Sequence, residues 1–237
     1  MNEFFILHLT DIEGYTPQLD DDLLQKLNFI VISGDISIGS KSVKYFLYSM
    51  KKIRKSIPDS IPIFYIPGNR EYEYMAYELD DLPSNMISIH NRKYYFKLNN
   101  NFGIYLIGYG GALPGIFNNF IYSEDKINND LIPIFKEVYS IKNIKDLVFF
   151  IVHNPPFKTK LDQAQFRRNV GSRAIRRLIE EFQPELCLCG HIHESSGIQN
   201  INKTICVNPG AGKQGFAGLI SISDQIEVNI INIQVKR

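Results

Sequence analysis

Six short apolar runs along this chain each end on a small polar cluster, and that repetition restricts the fold more than any other feature. Phe4-Phe5-Ile6-Leu7 precedes Asp11-Ile12-Glu13-Gly14, and Phe29-Ile30-Val31-Ile32 precedes Gly34-Asp35. Ile63-Phe64-Tyr65-Ile66 leads to Gly68-Asn69-Arg70-Glu71, and Val148-Phe149-Phe150-Ile151-Val152 leads to His153-Asn154. Leu186-Cys187-Leu188-Cys189 leads to Gly190-His191-Ile192-His193, and Ile205-Cys206-Val207 to Asn208-Pro209-Gly210. Short apolar runs bounded by turn residues read as buried strands. In open α/β sheets the chemistry lies just past the carboxyl ends of such strands. The repetition therefore predicts that Asp, Asn and His from distant parts of the sequence meet in one cleft.

The chain has 237 residues, enough for one substantial core, and the expectation is one α/β domain over residues 1–237. Hydrophobic residues make up 44% and charged residues 22%, the balance of a soluble globular protein. A net charge of +1 gives no general attraction to nucleic acid or anionic membrane. The three cysteines show no CxxC spacing and fit a reducing compartment better than a disulfide framework. No basic region followed by an apolar stretch opens the chain, and no apolar run approaches the ~20 residues that span a bilayer. The expected location is the cytoplasm.

Strand and helix alternate through the first half, which favours a parallel sheet. Val43, Phe46, Leu47, Met50 and Ile53 give a helical stripe between Ser40 and Ile57, and a shorter helix is expected from Glu71 to Leu79. From about Met86 the pattern changes to successive strands over 86–89, 93–98 and 102–107, with Asn99-Asn100-Asn101 as a turn. A second sheet, or an antiparallel extension of the first, begins there. Ser123 to Tyr139 reads as a helix capped by Ser123 and weakened by Pro133, and Ser172 to Phe182 as a firmer one. The tail from Gly215 to Val235 reads as a strand pair turning near Ser223-Asp224.

Taken in order, these clusters resemble the calcineurin-like metallophosphoesterases. That signature runs Asp-x-His, Gly-Asp, Gly-Asn-His followed by an acid, a lone His, and Gly-His-x-His. This chain has Asp11-Ile12-Glu13, Gly34-Asp35, Gly68-Asn69-Arg70-Glu71, His153 and Gly190-His191-Ile192-His193. The last cluster, with Asn208-Pro209-Gly210, His153-Asn154-Pro155-Pro156 and Gly171-Ser172-Arg173-Ala174-Ile175, is most similar to the small bacterial and archaeal Icc-related branch. The resemblance implies a four-layer α/β/β/α sandwich with two mixed sheets. It also implies hydrolysis of a phosphomonoester or phosphodiester by in-line attack of a metal-bound hydroxide at a dinuclear site. One ion would take Asp11, Asp35 and His193, and the other Asp35, Asn69, His153 and His191. Asp35 would be the shared carboxylate between cations ~3.5–4 Å apart. Asn69, Arg70 and His153 are then the candidate catalytic residues, and a small-molecule phosphoester is the expected partner.

Glu13 and Arg70 depart from that pattern, each standing where the family has a histidine. Glu13 can ligate through oxygen and makes its site carboxylate-rich, which favours Mn²⁺ or Fe²⁺, with Zn²⁺, Ni²⁺ and Mg²⁺ as alternatives. Arg70 cannot act as a general acid, but it can hold two phosphate oxygens. One arrangement keeps both ions and uses Arg70 as a clamp on the transition state. The other pairs Glu13 with Arg70 and fills the first metal position with a guanidinium. The sequence favours the first, because Asp11 and His193 are present. A catalytically degenerate binding or scaffold protein is the rival function, and Glu13 and Arg70 are its support.

Lys158, Lys160, Arg167, Arg168, Arg173, Arg176 and Arg177 form a basic stretch that either overhangs the cleft or is a solvated face, with the solvated face preferred. Only Phe157 and Phe166 interleave with it, which disfavours a nucleic-acid site. The helix opening at Gly171-Ser172 could receive a phosphate. Asn154 and the backbone of Gly110-Gly111 are further candidate contacts, with turn formation as the equal alternative. Glu71 and Glu194 are either carboxylates that orient ligands or surface charges. His8 is expected to be packed in a strand, and His90 carries no signal. Cys187 and Cys189 read as small core residues.

Overall fold

Alternation within the apolar runs decides the architecture, because successive side chains of a strand point to opposite faces. The structure is a computed structural model that describes residues 3–38, 42–77, 79–99, 102–115, 119–164, 166 and 168–237. Its first strands are β1 (Phe4–Leu9), β2 (Thr16–Gln18), β3 (Leu27–Ser33), β4 (Ile63–Ile66), β5 (Met86–Ser88), β6 (Arg92–Lys97), β7 (Gly103–Tyr109) and β8 (Leu147–Val152). They are followed by β9 (Gln163–Ala164), β10 (Arg168–Asn169), β11 (Leu186–Leu188), β12 (Gly197–Ile201), β13 (Thr204–Asn208), β14 (Phe216–Ile222), β15 (Ile226–Asn232) and β16 (Gln234–Lys236). The α-helices are α1 (Asp21–Lys26), α2 (Val43–Lys55), α3 (Glu124–Ile141) and α4 (Arg173–Phe182).

Among the described residues, β15-β14-β1-β3-β4-β5 form one six-stranded sheet and β12-β13-β11-β8-β7-β6 another. Both are mixed. In the first, β1, β3, β4 and β5 are parallel and β14 joins β1 antiparallel. In the second, β7, β8, β11 and β13 are parallel, with β6 and β12 antiparallel beside them.

Ile6, Phe29, Val31, Phe64 and Ile66 of the first sheet pack against Leu106, Phe149, Ile151 and Leu188 of the second. The alternate residues Leu7, Ile30, Ile32 and Tyr65 face outward onto Phe46, Met50 and Ile53 of α2. In the second sheet, Val148, Phe150 and Cys187 face Leu131 and Phe135 of α3 and Ile175 and Leu178 of α4. The result is the four-layer α/β/β/α sandwich. Strands buried on both faces explain why the runs read as continuous rather than alternating.

The helix ends follow their sequence signals. Ser123 Oγ accepts from Lys126 N at the start of α3, and Ser172 Oγ accepts from Ile175 N at the start of α4. Helix α3 runs through Pro133 to Ile141, beyond the expected end. The strand pair of the tail is β14 and β15, with Ser223 and Asp224 in the turn.

Other expectations need correction. The helix expected over 71–79 is a single 3-10 turn, Glu73–Ala76, because Glu71 is drawn inward and Tyr72 is extended. Glu78 lies outside the described residues, as do Ser40, Asn100 and Asn101. The strand at Met86 extends the first sheet, and the second sheet begins only at β6. The small pairs β2–β16 and β9–β10 were not anticipated.

Candidate metal centre

Parallel order places the polar clusters together. β1, β3 and β4 are parallel neighbours, as are β8 and β11, so the loops with Asp11, Asp35, Asn69, His153 and His191 all leave carboxyl ends. Four of the candidate residues hold left-handed backbone: Asp11 at φ 52°, Glu13 at 48°, Asp35 at 48° and His191 at 70°. Such conformations cost of order 1–3 kcal/mol each and persist where the surroundings impose them, commonly at functional sites. Gly34 and Gly68 allow the close approach. A Cβ on Gly34 would strike the His153 imidazole, and one on Gly68 would overlap the Asp35 carboxylate.

One side of the cleft sets acceptor against acceptor. The Nδ1–H of His153 donates to the Ser33 carbonyl over 2.8 Å, which turns Nε2 toward Asn69 Oδ1 at 3.1 Å and Asp35 Oδ1 at 3.5 Å. Asp11, Asp35 and His153 each bring a ligand atom within 4.8 Å of the others, and all three are buried. The His191 ring lies edge-on to His153 with centroids 4.9 Å apart. Enclosure, then the neighbouring His153, pushes His191 down to about 3, so at neutral pH it offers a lone pair. Burial and the nearby Asp11 charge raise the Asp35 carboxyl above the usual carboxylate range. Oxygens and imidazole nitrogens that converge in this way, with a repelling pair of carboxylates between them, fit a divalent cation.

The other side is already paired. Asp11 Oδ1 accepts from His193 Nε2 at 3.0 Å, and Asp11 Oδ2 accepts from Thr10 Oγ1 at 2.7 Å and His191 N at 2.9 Å. Burial opposes the charge on Asp11, but these hydrogen bonds and the two histidines hold it well below its ordinary value. The bond to Asp11 in turn raises His193. Arg70 reaches both acids, with Nη2 at 3.4 Å from Glu13 Oε1 and Nε at 3.2 Å from Asp35 Oδ2. Lys213 Nζ donates to Glu13 Oε1 over 2.8 Å. Lys213 is the residue that sequence reasoning missed, and its only signal was its place shortly after the run that ends at Asn208-Pro209-Gly210.

His191 and His193 do not lie on one extended segment. His191 is left-handed and His193 opens a 3-10 turn, so the two rings diverge to His153 and Asp11.

Glu71 is a tie between the loops that carry Asp35 and Asn69. Fully buried, it accepts from Gly68 N at 2.7 Å, Ser37 N at 2.8 Å and Ser37 Oγ at 3.0 Å. Burial, then Asp35, pushes it up to about 7. Glu194 is exposed on the cleft wall.

The remaining candidates have structural partners. Gly110 N donates to His90 Nδ1 and Gly111 N to the Pro67 carbonyl, so both backbone N–H groups already have partners within the protein. Asn154 lines the cleft, and its Oδ1 accepts from Leu113 N. The N-terminus of α4 is closed from within: Glu124 accepts from Ser172 Oγ at 2.6 Å and from Arg173 N and Ala174 N at 2.8 Å. A phosphate therefore has no place there. Arg173 stacks on Phe157, and Arg176 bonds Glu180 and two carbonyls. Of the basic stretch, Arg168 lines the cleft, while Arg167 lies outside the described residues. His8 is buried in β1 against Ser33, as expected, and Cys187 and Cys189 are buried. The cavity measures about 550 Å³, with Asp35, Asn69 and Arg70 on its floor and Leu113, Phe166 and Val170 on its wall.

The sequence matches the calcineurin-like phosphoesterase family over residues 5–195. The chain belongs to the calcineurin-like phosphoesterase family. An uncharacterized protein of Methanocaldococcus jannaschii is 32% identical over 209 residues, which cover 86% of this chain and 87% of that protein. TT1561 of Thermus thermophilus superposes with a TM-score of 0.66 at 16% identity, covering 96% of this chain and 99% of that one. A 5′-nucleotidase of Candida albicans gives a TM-score of 0.61 at 14% identity, over 97% of this chain and 51% of its own length. At such identities the likeness is one of fold. Among the described residues, no helix is long and apolar enough to cross a membrane.

Proposed function

We propose that the chain is a metal-dependent phosphoesterase, acting as one domain over residues 1–237 on a small-molecule phosphomonoester or phosphodiester. The observation that carries this reading is the convergence of Asp35, Asn69, His153 and His191 in a cleft that also holds the Arg70 guanidinium. Asp35, Asn69, His153 and His191 would hold a divalent ion. An oxygen and nitrogen donor set without thiolate suits Mn²⁺ or Fe²⁺, with Zn²⁺, Ni²⁺ and Mg²⁺ as the other ions to test. Bound there, the ion supplies Lewis acidity to a phosphoryl oxygen and brings the pKa of water toward neutrality. The Asp11 side, where the resemblance places a second ion, is not required by this reading.

Arg70 acts as a clamp, since its planar fork matches two phosphoryl oxygens. Asn69 and His153 hold the geometry for in-line attack at phosphorus. No covalent enzyme intermediate is needed. Arg70 replaces the histidine acid of the family pattern, so esters with good leaving groups, such as nitrophenyl phosphates, should react faster than alkyl esters. A cytoplasmic location fits the three cysteines, all free and buried.

The test is a panel of phosphoesters assayed after loading with each of the five metals, with Asp35→Asn as control. Nucleoside monophosphates belong in the panel because one structural neighbour is a 5′-nucleotidase. Hydrolysis by the loaded wild type and not by Asp35→Asn is expected. If every metal and ester pair gives the rate of the control, the rival binding or scaffold role stands, which the Glu13–Arg70 pair favours.

A further inference from the structure

We infer that two side-chain cations, Arg70 and Lys213, occupy the place where the resemblance puts the first ion, so that this chain takes up one divalent ion rather than two. The inference rests on the phosphoesterase reading of the cleft and concerns its composition. The two sides of the cleft differ in how their acceptors are met. Around His153, Nε2 faces Asn69 Oδ1 at 3.1 Å and Asp35 Oδ1 at 3.5 Å, and the donor to Asp35 Oδ1 is the neutral backbone N–H of Arg70 at 3.0 Å, so the positive charge on this side would come from a bound cation. Around Glu13, the acceptors already receive cationic donors. Lys213 Nζ lies 2.8 Å from Glu13 Oε1, and Arg70 Nη2 lies 3.4 Å from the same oxygen. Arg70 Nε takes the outer oxygen of Asp35 at 3.2 Å, and His193 takes Asp11 Oδ1 at 3.0 Å.

The charges agree with the geometry. A guanidinium and an ammonium together carry the charge of one divalent ion. Glu13, in place of a neutral histidine, supplies the carboxylate that lies between them. The three side chains are 22%, 28% and 11% exposed for Arg70, Lys213 and Glu13, so solvent screens them incompletely. A second divalent ion at Asp11 and His193 would have to displace or face two fixed cations at contact distance. Lys213 is a positioning residue: it shares Glu13 Oε1 with Arg70 Nη2 and so balances the charge of Glu13, while Arg70 Nε stays on Asp35. The substitutions of two family histidines and the presence of Lys213 then form one device.

Elemental analysis after Mn²⁺ saturation and dialysis, together with electron paramagnetic resonance, tests this. The wild type should retain one ion per chain and show the hyperfine pattern of isolated manganese. The triple variant Glu13→His/Arg70→His/Lys213→Ala should retain two and show an exchange-coupled pair. Should that variant not fold by circular dichroism, Arg70→His alone serves and should raise the count above one. Two ions per wild-type chain, with the coupled spectrum, would overturn the inference and leave the phosphoesterase reading intact. No retained ion, with no hydrolysis, would defeat that reading itself.

Discussion

Replacing Glu71 tests whether the loops that carry Asp35 and Asn69 are held in place by one buried carboxylate. Glu71 bonds Ser37, two residues past Asp35, and Gly68, one residue before Asn69, so it joins the loops after β3 and β4. Truncation to Ala removes three hydrogen bonds and leaves two buried backbone N–H groups without an acceptor. An orphaned buried donor costs about 1–3 kcal/mol, so Glu71→Ala should lose roughly 2–6 kcal/mol of stability. Glu71→Gln keeps one carbonyl oxygen and should lose about half as much. Because the loops carry Asp35 and Asn69, Mn²⁺ affinity should also fall by about 10–100-fold. Urea unfolding of the metal-free proteins measures the first effect and calorimetric titration with Mn²⁺ the second. A loss below about 1 kcal/mol at unchanged denaturant slope, with unaltered Mn²⁺ affinity, would refute the tie.

Two further outcomes follow from His90 and Glu124, neither of which lines the cleft. His90 is buried and pushed down to about 4, chiefly by burial, against an ordinary 6.5. Between those values the unfolded chain binds a proton that the folded one refuses. Stability is therefore full above pH 6.5 and falls as pH drops to 4, by about 3 kcal/mol from this group. Urea unfolding across that window should give a shallower decline for His90→Asn, and parallel curves would exclude the assignment. Glu124→Ala should lose about 2–3 kcal/mol, since it removes a charged cap from the α4 N-terminus. A thermal midpoint within one degree of wild type would contradict that role.

The parallel strands were legible because burial on both faces leaves little but apolar residues between sharp turn boundaries. The meeting of these side chains in one cleft followed from them, since each of Asp11, Asp35, Asn69, His153 and His191 lies just past such a run; the assignment of ligands came from the family resemblance. Lys213 was not legible as a site residue. A lysine in a loop reads as a surface charge until the turn after β13 is known to bond the loop after β1, Gly212 N to the Thr10 carbonyl and Lys213 N to the Asp11 carbonyl. The Glu124 cap was hidden for a related reason: 48 residues separate it from Ser172. A bare helix start therefore read as one that could receive a phosphate. The turn at His191 was missed because His-x-His reads equally well as strand, and only a left-handed backbone brings its N–H to Asp11. The charge reversal between Glu13 and Arg70 was visible, but the partner that completes it came from the far end of the chain.

The most direct test of the account is an anomalous difference map from crystals soaked in Mn²⁺. A peak is expected about 2.0–2.3 Å from His153 Nε2, with Asp35, Asn69 and His191 around it. A map with no peak at that position, or with His153 turned away from Asn69, would contradict the claim that these residues form a cation site.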